Sequence, residues 1–296
     1  MKKPRNLTRI LRRQLPKAVR LPFASLSPWW HPINFFKSIY VHFSEQNVRQ
    51  ANIRLKKIKN YYRGKRCFIM GNGPSLNQME LDLFRNDFVW ASNKCYLLFD
   101  RINWKPSFYV AVDKRVVPDI SEKINKMILD MHDSLFFFPV HFRLSGRLLS
   151  DSNVYWYREV DSYPYISSQE MFTVDASKWV SNVKTVTIAA LQLAVYLGFD
   201  PIYLIGCDTS YSIPDSVEVE SKNPNFLVSS QNDDPNHFDP NYFGKGSKWH
   251  IPHADMMISH YIKAKKICDN IGVNVYNATV GGKLEVFPRV DYIDLF

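Results

Sequence analysis

Cysteines are few in this sequence and long hydrophobic runs are absent. These two features argue against a disulfide-rich protein and against a protein that spans a membrane. The four cysteines are scattered and none belongs to a Cys-x-x-Cys pair, so we expect neither a disulfide scaffold nor a cysteine-rich zinc site. No stretch reaches the roughly 18 uninterrupted apolar residues of a membrane-spanning helix. Charged residues interrupt the apolar ones near the N-terminus, which argues against a signal peptide. Together these features predict a cytoplasmic protein.

Acidic residues are nearly missing from the first part of the chain. Residues 1–66 carry 17 Lys and Arg but a single acid, Glu45, whereas the rest carries 21 bases and 27 acids. Aromatic residues lie in the same part: Phe23, Trp29, Trp30, Phe35, Phe36, Tyr40 and Phe43. Such a mixture suits an anionic membrane surface; packing on the domain or on a second subunit is the alternative. We predict a basic, partly helical extension over 1–62 that contacts the inner face of the cytoplasmic membrane through residues 1–60.

The remaining residues, 63–296, have the pattern of an α/β domain. The predicted strands are 67–70, 88–92, 107–112, 135–142, 154–160, 201–205 and 274–277, and the predicted helices are 44–62, 185–197 and 253–271. Short apolar strands alternating with helices predict a Rossmann-like, mostly parallel α/β sheet with helices on both faces. The segment 212–250 has little periodicity and is predicted to be a lid or a long insertion. The domain lacks the signatures of nucleic-acid binding, so we expect no nucleic-acid partner.

Polar residues follow several of the predicted strands. They are Asn72, Asn93, Asp113, Asp208 and Asn277. Because parallel α/β sheets bind ligands beside the carboxyl ends of their strands, we expect these side chains to surround one pocket. The carboxylate of Asp208 suits sugar hydroxyls, a metal or a base edge; a helix cap is the alternative.

The first strand end is the loop Gly71-Asn72-Gly73-Pro74-Ser75. A strand, a glycine turn and a helix start place free backbone amides and the positive end of a helix at one point, which suits a phosphate. Pro74 fits the first turn of a helix. Glycines allow the backbone to approach a ligand closely. A tight turn that binds nothing is the alternative.

Histidine and lysine are concentrated between residues 237 and 253. This segment holds His237, His250 and His253, with Lys245 between two glycines. Such a lysine suits a phosphate, and a histidine suits the removal of a proton from a hydroxyl group. A zinc site and ordinary loop residues are the competing interpretations. Farther along, Lys283 follows a Gly-Gly turn that either closes over the ligand or packs on the sheet.

The loop Gly71–Leu76, the strand ends Asn93 and Asp113 and the run Thr187–Tyr211 resemble the MptE-like family, which is named for 6-hydroxymethylpterin diphosphokinases. The same features resemble the bacterial sialyltransferases that use CMP-sialic acid. The resemblance covers about residues 65–290 and implies a sialyltransferase-like variant of the GT-A glycosyltransferase fold.

The resemblance also implies roles for individual residues. Asn72, Ser75 and Asn93 would contact the nucleotide, and Tyr211 its phosphate. The catalytic histidine of the sialyltransferases follows Tyr-Ile-Gly, whereas Lys245 follows Tyr242-Phe243-Gly244 here. We therefore predict His250 as the general base, followed by His253 and His237, with Lys245 and Tyr211 stabilising the leaving phosphate. The predicted nucleotide-binding residues are Gly71, Asn72, Gly73, Pro74, Ser75, Asn93, Asp113, Thr187 and Asp208.

These residues lead to three functional hypotheses. The first is a glycosyltransferase that moves a sialic-acid-like (nonulosonate) sugar from a CMP donor to a glycan or lipid-linked acceptor of surface-polysaccharide synthesis, with no metal cofactor. The second is a Mg²⁺-dependent diphosphokinase acting on a pterin-like alcohol, with Asp113 and Asp208 as metal ligands. The third is a non-catalytic module that binds a nucleotide-sugar.

Overall fold

A seven-stranded parallel sheet forms the centre of the computed structural model, which describes residues 46–161, 172–182, 185–220 and 226–296. The strands are β1 (Cys67–Met70), β2 (Phe88–Ser92), β3 (Phe108–Val110), β4 (Leu135–Pro139), β5 (Val154–Tyr157), β6 (Glu159–Asp161), β7 (Val180–Asn182), β8 (Ile202–Ile205), β9 (Val217–Val219), β10 (Phe226–Ser229), β11 (Lys248–His250) and β12 (Val275–Asn277). The helices are α1 (46–57), α2 (Val116–Asp130), α3 (Val140–Leu144), α4 (Val186–Leu197) and α5 (Ala254–Asn270). Short 3₁₀ helices span Pro74–Gln78, Leu81–Asn86, Cys95–Leu98 and Ile293–Leu295.

The chain divides into two compact units, Met1–Asn47 and Val48–Phe296. Only Gln46 and Asn47 of the first unit fall within the described residues. The predictions for the basic and aromatic segment before residue 46 therefore lie outside the described residues. Among the residues that the structure describes, no helix is long and apolar enough to cross a membrane.

The main sheet has the strand order β12-β8-β1-β2-β3-β4-β5, and every neighbouring pair is parallel. The side chains of successive residues in each strand pack on opposite faces of the sheet. In β1, Phe68 and Met70 pack on one face, and Cys67 and Ile69 pack on the other. Burying one large apolar side chain contributes about 1.5–3 kcal/mol, so a sheet covered on both faces is strongly stabilised. The predicted Rossmann-like α/β fold is confirmed.

Helix α4 is the central element of the second face. All of its residues except Val186 are buried, and it packs across β1, β2 and β3. Gly198 ends the helix in the left-handed conformation at φ 91°, and its amide donates to the carbonyls of Ala194 and Val195. The helix predicted over 185–197 is confirmed, and Gly198 closes it as glycine commonly does.

Three predicted strands and one predicted helix were too long: the strand predicted over 107–112 is only Phe108–Val110, and the helix predicted over 44–62 ends at residue 57. Strand β4 ends at Pro139, which has no amide hydrogen to continue a ladder, and α3 begins at the next residue. The predicted strand over 154–160 is interrupted at Arg158. Its second half is β6, which pairs in parallel with β7 in a separate two-stranded sheet.

The segment 212–250 is folded in its described part. Strands β9, β10 and β11 form an antiparallel sheet, which its weak periodicity did not predict. The turns between β10 and β11 are tied to the domain, because the Phe238 amide donates to the Asn72 carbonyl at 3.0 Å. The side chain of Asn236 also bonds both the amide and the carbonyl of Ser212, at 2.8 and 2.7 Å. Whether the segment acts as a lid stays a prediction.

Candidate functional site

A cavity of about 920 Å³ lies at the carboxyl edge of the main sheet. Its walls come from the turns after β1, β2, β3 and β8, the first residues of α4 and α5, and the small antiparallel sheet. It brings together most of the predicted site residues: Gly71, Asn72, Gly73, Asn93, Asp113, Thr187, Asp208, Tyr211, His237, His250 and His253. Pro74, Ser75 and Lys245 are outside the lining, and Asn277 is buried elsewhere with its amide nitrogen on the Leu284 carbonyl.

Three backbone amides of the glycine loop are hydrogen-bonded within the protein. The amides of Gly71 and Gly73 donate to the carbonyls of Ile205 and Gly206, at 2.8 and 2.9 Å. The amide and hydroxyl of Ser75 both donate to the buried Asp208 carboxylate, at 3.2 and 2.7 Å. Asp208 thus supplies an anion at the start of the 3₁₀ helix, where the sequence suggested a phosphate, and nucleotide binding by this loop stays a prediction.

The glycines are explained by the packing of two turns against each other. A Cβ atom on Gly71 would lie 2.3 Å from the Gly206 carbonyl oxygen, and one on Gly73 would lie 1.8 Å from an Asp208 carboxylate oxygen. Any side chain would therefore push the β1 turn away from the β8 turn. Close approach to this neighbouring turn, and not to a ligand, requires glycine here.

Two asparagines supply the polar atoms that the loop amides do not. Asn72 donates its side-chain amide to the Ser92 hydroxyl at 3.0 Å. The carboxamide oxygens of Asn72 and Asn93 are buried and have no hydrogen-bond partner within the described residues. Leaving such an atom unsatisfied costs about 1–3 kcal/mol. A donor on a bound ligand, such as a sugar hydroxyl or a base amine, would satisfy both.

The N-terminus of α4 also forms part of the cavity wall. Thr185 caps the helix, with its hydroxyl oxygen accepting from the Thr187 amide at 3.3 Å. Thr185, Val186 and Thr187 all line the cavity. The first amides of a helix and its dipole favour an anion at this position. Asp113 caps a different helix, because its carboxylate accepts from the amides of Arg115 and Val116 at the start of α2.

The cationic side chains that line the cavity differ from the lysine that the sequence predicted. Lys114, Arg115 and Lys248 line it, whereas Lys245 does not. The Arg115 guanidinium lies 3.5 Å from the centre of the Phe226 ring, a cation–π contact that holds it between β3 and β10. Lys248 pairs with Glu220. The signal for Lys114 and Arg115 was available, since both directly follow the strand end at Asp113.

The buried carboxylate of Glu159 holds two residues of the cavity wall in place. The Glu159 side chain is 6% exposed, and it accepts from the Asn182 amide at 2.9 Å and pairs with Lys114 at 3.3 Å. His141 lies 3.5 Å from the same carboxylate. Burial, together with the charge of Lys114, lowers the pKa of His141 to about 4, so His141 is neutral at pH 7. Lys114 and Asn182 are therefore held at the cavity by a group that does not line it.

Among the predicted histidines, His237 has the geometry of an oriented base. Its Nδ1 atom lies 2.7 Å from a carboxylate oxygen of Asp234, whose side chain is 3% exposed. The ring stacks on Tyr242 at 3.9 Å. Burial raises the pKa of Asp234, but the hydrogen bond and charge of His237 and the amides of Asn236 and Phe243 bring that pKa below its usual value.

An ionised Asp234 favours the tautomer with the proton on Nδ1, which leaves the lone pair of His237 on Nε2. His250 packs on Phe226 at 4.4 Å, and His253 is the exposed residue that precedes α5. The Asp-x-x-His spacing of Asp234 and His237 was the signal in the sequence.

Tyr211 lines the cavity beside Asp208. Burial raises the pKa of its phenol to about 12, and the neighbouring Cys207 and Asp208 add to the effect. Tyr211 is therefore a neutral hydrogen-bond donor at pH 7. In the part of the chain that the structure describes, no three His, Cys, Asp or Glu side chains are grouped so that they could hold a metal.

The parallel sheet, its covering helices and the cavity at its carboxyl edge define a Rossmann-like α/β protein. The chain belongs to the MptE-like family, since the model described as 6-hydroxymethylpterin diphosphokinase MptE-like matches residues 42–214. No curated protein matches the sequence.

Three solved structures of glycosyltransferases are similar to this chain at low identity. The MAf glycosyltransferase from Magnetospirillum magneticum AMB-1 is 15% identical, with a TM-score of 0.44 over 83% of this chain and 38% of that one. The sialyltransferase CST-II, in complex with a trisaccharide acceptor and CMP, is 14% identical, with a TM-score of 0.39 over 76% and 86%. CstII from Campylobacter jejuni, with the substrate analogue CMP, is 13% identical, with a TM-score of 0.40 over 77% and 85%. The chain thus spans 38% of the length of the MAf enzyme.

Proposed function

We propose that this protein is a glycosyltransferase that moves a nonulosonate sugar from a CMP donor to the hydroxyl group of a glycan acceptor. Two groups of residues in one cavity support this proposal. One group suits a phosphate-bearing donor, and the other suits the deprotonation of an acceptor. The choice of CMP follows from the resemblance of the Gly71–Leu76 loop and the Thr187–Tyr211 run to the CMP-dependent sialyltransferases.

The donor is assigned to the wall formed by β1, β2, β3 and α4. The helix start at Thr185–Thr187 and the cations Lys114 and Arg115 favour the phosphate. The unsatisfied oxygens of Asn72 and Asn93 accept hydrogen bonds from the nucleoside or the sugar. In this assignment Asp208 and Ser75 shape the loop and do not contact the donor.

The observation that carries the proposal is the pairing of His237 with the buried Asp234. In the proposed reaction Nε2 of His237 takes the proton of the acceptor hydroxyl, and the acceptor oxygen forms a bond to the anomeric carbon of the donor sugar. The bond from that carbon to the phosphate oxygen breaks, and CMP leaves with the electron pair. Tyr211 donates a hydrogen bond to the phosphate as negative charge develops on it. His237 thus replaces His250 as the proposed base.

A thermal-shift panel of CMP, CDP, UDP, GDP and ATP, each with and without Mg²⁺, tests the donor class. A ligand present at 100 times its dissociation constant stabilises the folded state by about 2.7 kcal/mol. We expect CMP to raise the melting temperature without Mg²⁺. A response to ATP alone, and only with Mg²⁺, would reject the proposal. Release of CMP from CMP-sialic acid in the presence of glycan acceptors then tests turnover; binding without turnover would favour the non-catalytic module.

The diphosphokinase hypothesis rests on the description of the family model. It requires Mg²⁺, and the residues first considered as ligands fit it poorly. Both oxygens of Asp208 accept hydrogen bonds from Ser75, and an oxygen of Asp113 accepts two amides of α2. The thermal-shift measurements with and without Mg²⁺ separate the two hypotheses, because only the diphosphokinase requires the metal.

A further inference from the structure

A second cavity of about 380 Å³ adjoins the first. The two share five lining residues: Thr209, Ser210, Tyr211, Ile251 and Pro252. These residues belong to the segments after β8 and before α5, which line both cavities. The two cavities therefore lie side by side, with Tyr211 and Ile251 between them.

The second cavity is mainly apolar. Ile213, Ile251, Ile258 and Pro252 line it, and Ile213 is 52% exposed. Exposed apolar side chains that converge on one groove gain free energy when an apolar group covers them. The charged residues of the groove are Asp255 and Lys283, whose charges are opposite. The groove thus has no net charge that would select a charged occupant.

We infer that this groove binds the apolar chain of the acceptor, so that the acceptor is an amphiphilic glycoside with an alkyl or prenyl aglycone. Its sugar occupies the first cavity near His237, and its chain passes Tyr211 and Ile251 into the groove. The inference rests on the proposed function, because the second substrate of a transferase must enter beside the donor. A volume of 380 Å³ also lies within the range of about 300–1,000 Å³ that small-molecule sites occupy.

A homologous series of alkyl β-D-glucosides, from methyl to octyl, tests the inference by isothermal titration calorimetry. Each is used below its critical micelle concentration, with and without saturating CMP. Each methylene that enters the groove should strengthen binding by up to about fourfold. We expect the dissociation constant to fall with chain length and CMP to remain bound. Ile258→Ser should flatten this dependence, and so should Ile213→Ser.

Ile262→Ser is the matched control. Ile262 lies one turn beyond Ile258 on α5, is 56% exposed and does not line the groove. Its substitution should leave the chain-length dependence unchanged, and thermal melting confirms that all three variants fold. Binding that ignores chain length, or a dependence that all three variants keep, would overturn the inference. Because CMP binding is measured separately, a chain effect without CMP binding would reject the proposed function but retain the groove.

Discussion

The Asp208 carboxylate accepts hydrogen bonds from both the amide and the hydroxyl of Ser75. This contact joins the β1 turn to the β8 turn and places a negative group of the protein at the helix start where a phosphate was expected. Burial raises the pKa of Asp208 above its usual value, and the two bonds from Ser75 oppose that rise. The conformation of the loop is therefore fixed by contacts within the protein.

Gly73→Ala tests this packing. The φ of Gly73 is −72°, which alanine adopts freely, but a Cβ there would lie 1.8 Å from Asp208. We expect a loss of about 3 kcal/mol or more in the free energy of unfolding, at the upper end of the range for overpacking, because this contact is so short. Gly246→Ala is the control, because Gly246 has φ 82° and open space around it. That change should cost about 1 kcal/mol through backbone strain. Urea denaturation measures both, and equal losses would contradict the packing explanation.

Substitution of the histidines ranks the candidate bases. His237→Ala should lower kcat for CMP release to acceptor by about 10²–10⁴ and leave the CMP dissociation constant nearly unchanged. His250→Ala and His253→Ala should retain most of kcat. Steady-state kinetics on the three variants make the comparison. A collapse of kcat in His250→Ala alone would return the role to the residue favoured by sequence.

The Asp234–His237 pair gives a pH-dependent contribution to stability. Because the folded state lowers the pKa of Asp234, its ionised form stabilises the fold at pH values above the unfolded pKa of about 3.9. This contribution is lost as the pH falls through the lower, folded pKa. The difference in unfolding free energy between the wild type and Asp234→Asn should therefore be largest near pH 7 and shrink below about pH 4. If the wild type and Asp234→Asn differed in unfolding free energy by the same amount near pH 7 and below about pH 4, the pairing of Asp234 with His237 would be contradicted.

The sequence predicted Lys245 as the residue that binds the donor phosphate, whereas Lys114 lines the cavity and Lys245 does not. Lys114→Gln removes a cation of the cavity wall and should weaken CMP binding about 10–100-fold, since a hydrogen bond to a charged group contributes about 1.5–3 kcal/mol. Lys245→Gln should change it less than twofold, because Lys245 is exposed and outside the lining. Calorimetric titration with CMP measures both dissociation constants. A larger effect of Lys245→Gln than of Lys114→Gln would reject the assignment of Lys114 to the phosphate.

The basic extension is predicted to bind anionic vesicles. Replacing Arg9, Arg12 and Arg13 with glutamine should weaken binding, since each basic residue near the surface contributes about 1 kcal/mol. Raising the salt concentration should weaken binding of the wild type as well, because it screens charge. Cosedimentation with vesicles containing phosphatidylserine measures both effects. Binding that is absent, or indifferent to salt, would refute membrane contact.

The fold was largely predictable from sequence because its strands and α4 are continuous apolar segments with clear ends. The ends of β1 and β2 were right to the residue, and Gly198 marked the end of α4. Strands β9 to β11 were missed because each is only three or four residues long and the segments between them are rich in Pro and Asn. They are held in part by distant contacts, such as Asn236 to Ser212, which no local pattern shows.

The candidate site was predictable in place but less so in detail. Strand ends in a parallel sheet share one edge, so the location near Asn72, Asn93 and Asp208 followed from topology. Whether an amide is free depends on which distant residue reaches it. The contact between Ser75 and Asp208 spans 133 positions in the sequence, and nothing near either residue announces it. The role of Glu159 in holding Lys114 was hidden for the same reason.

The interlocked turns after β1 and β8 also bear on the order of events in folding. The glycine loop is synthesised early, but its conformation depends on residues that emerge more than a hundred positions later. Contacts of such large sequence separation form slowly, because a long chain must close before they gain any free energy. A nascent chain that ends before Asp208 therefore lacks the partner that shapes this loop, and the loop takes its folded conformation only after β8 has joined the sheet.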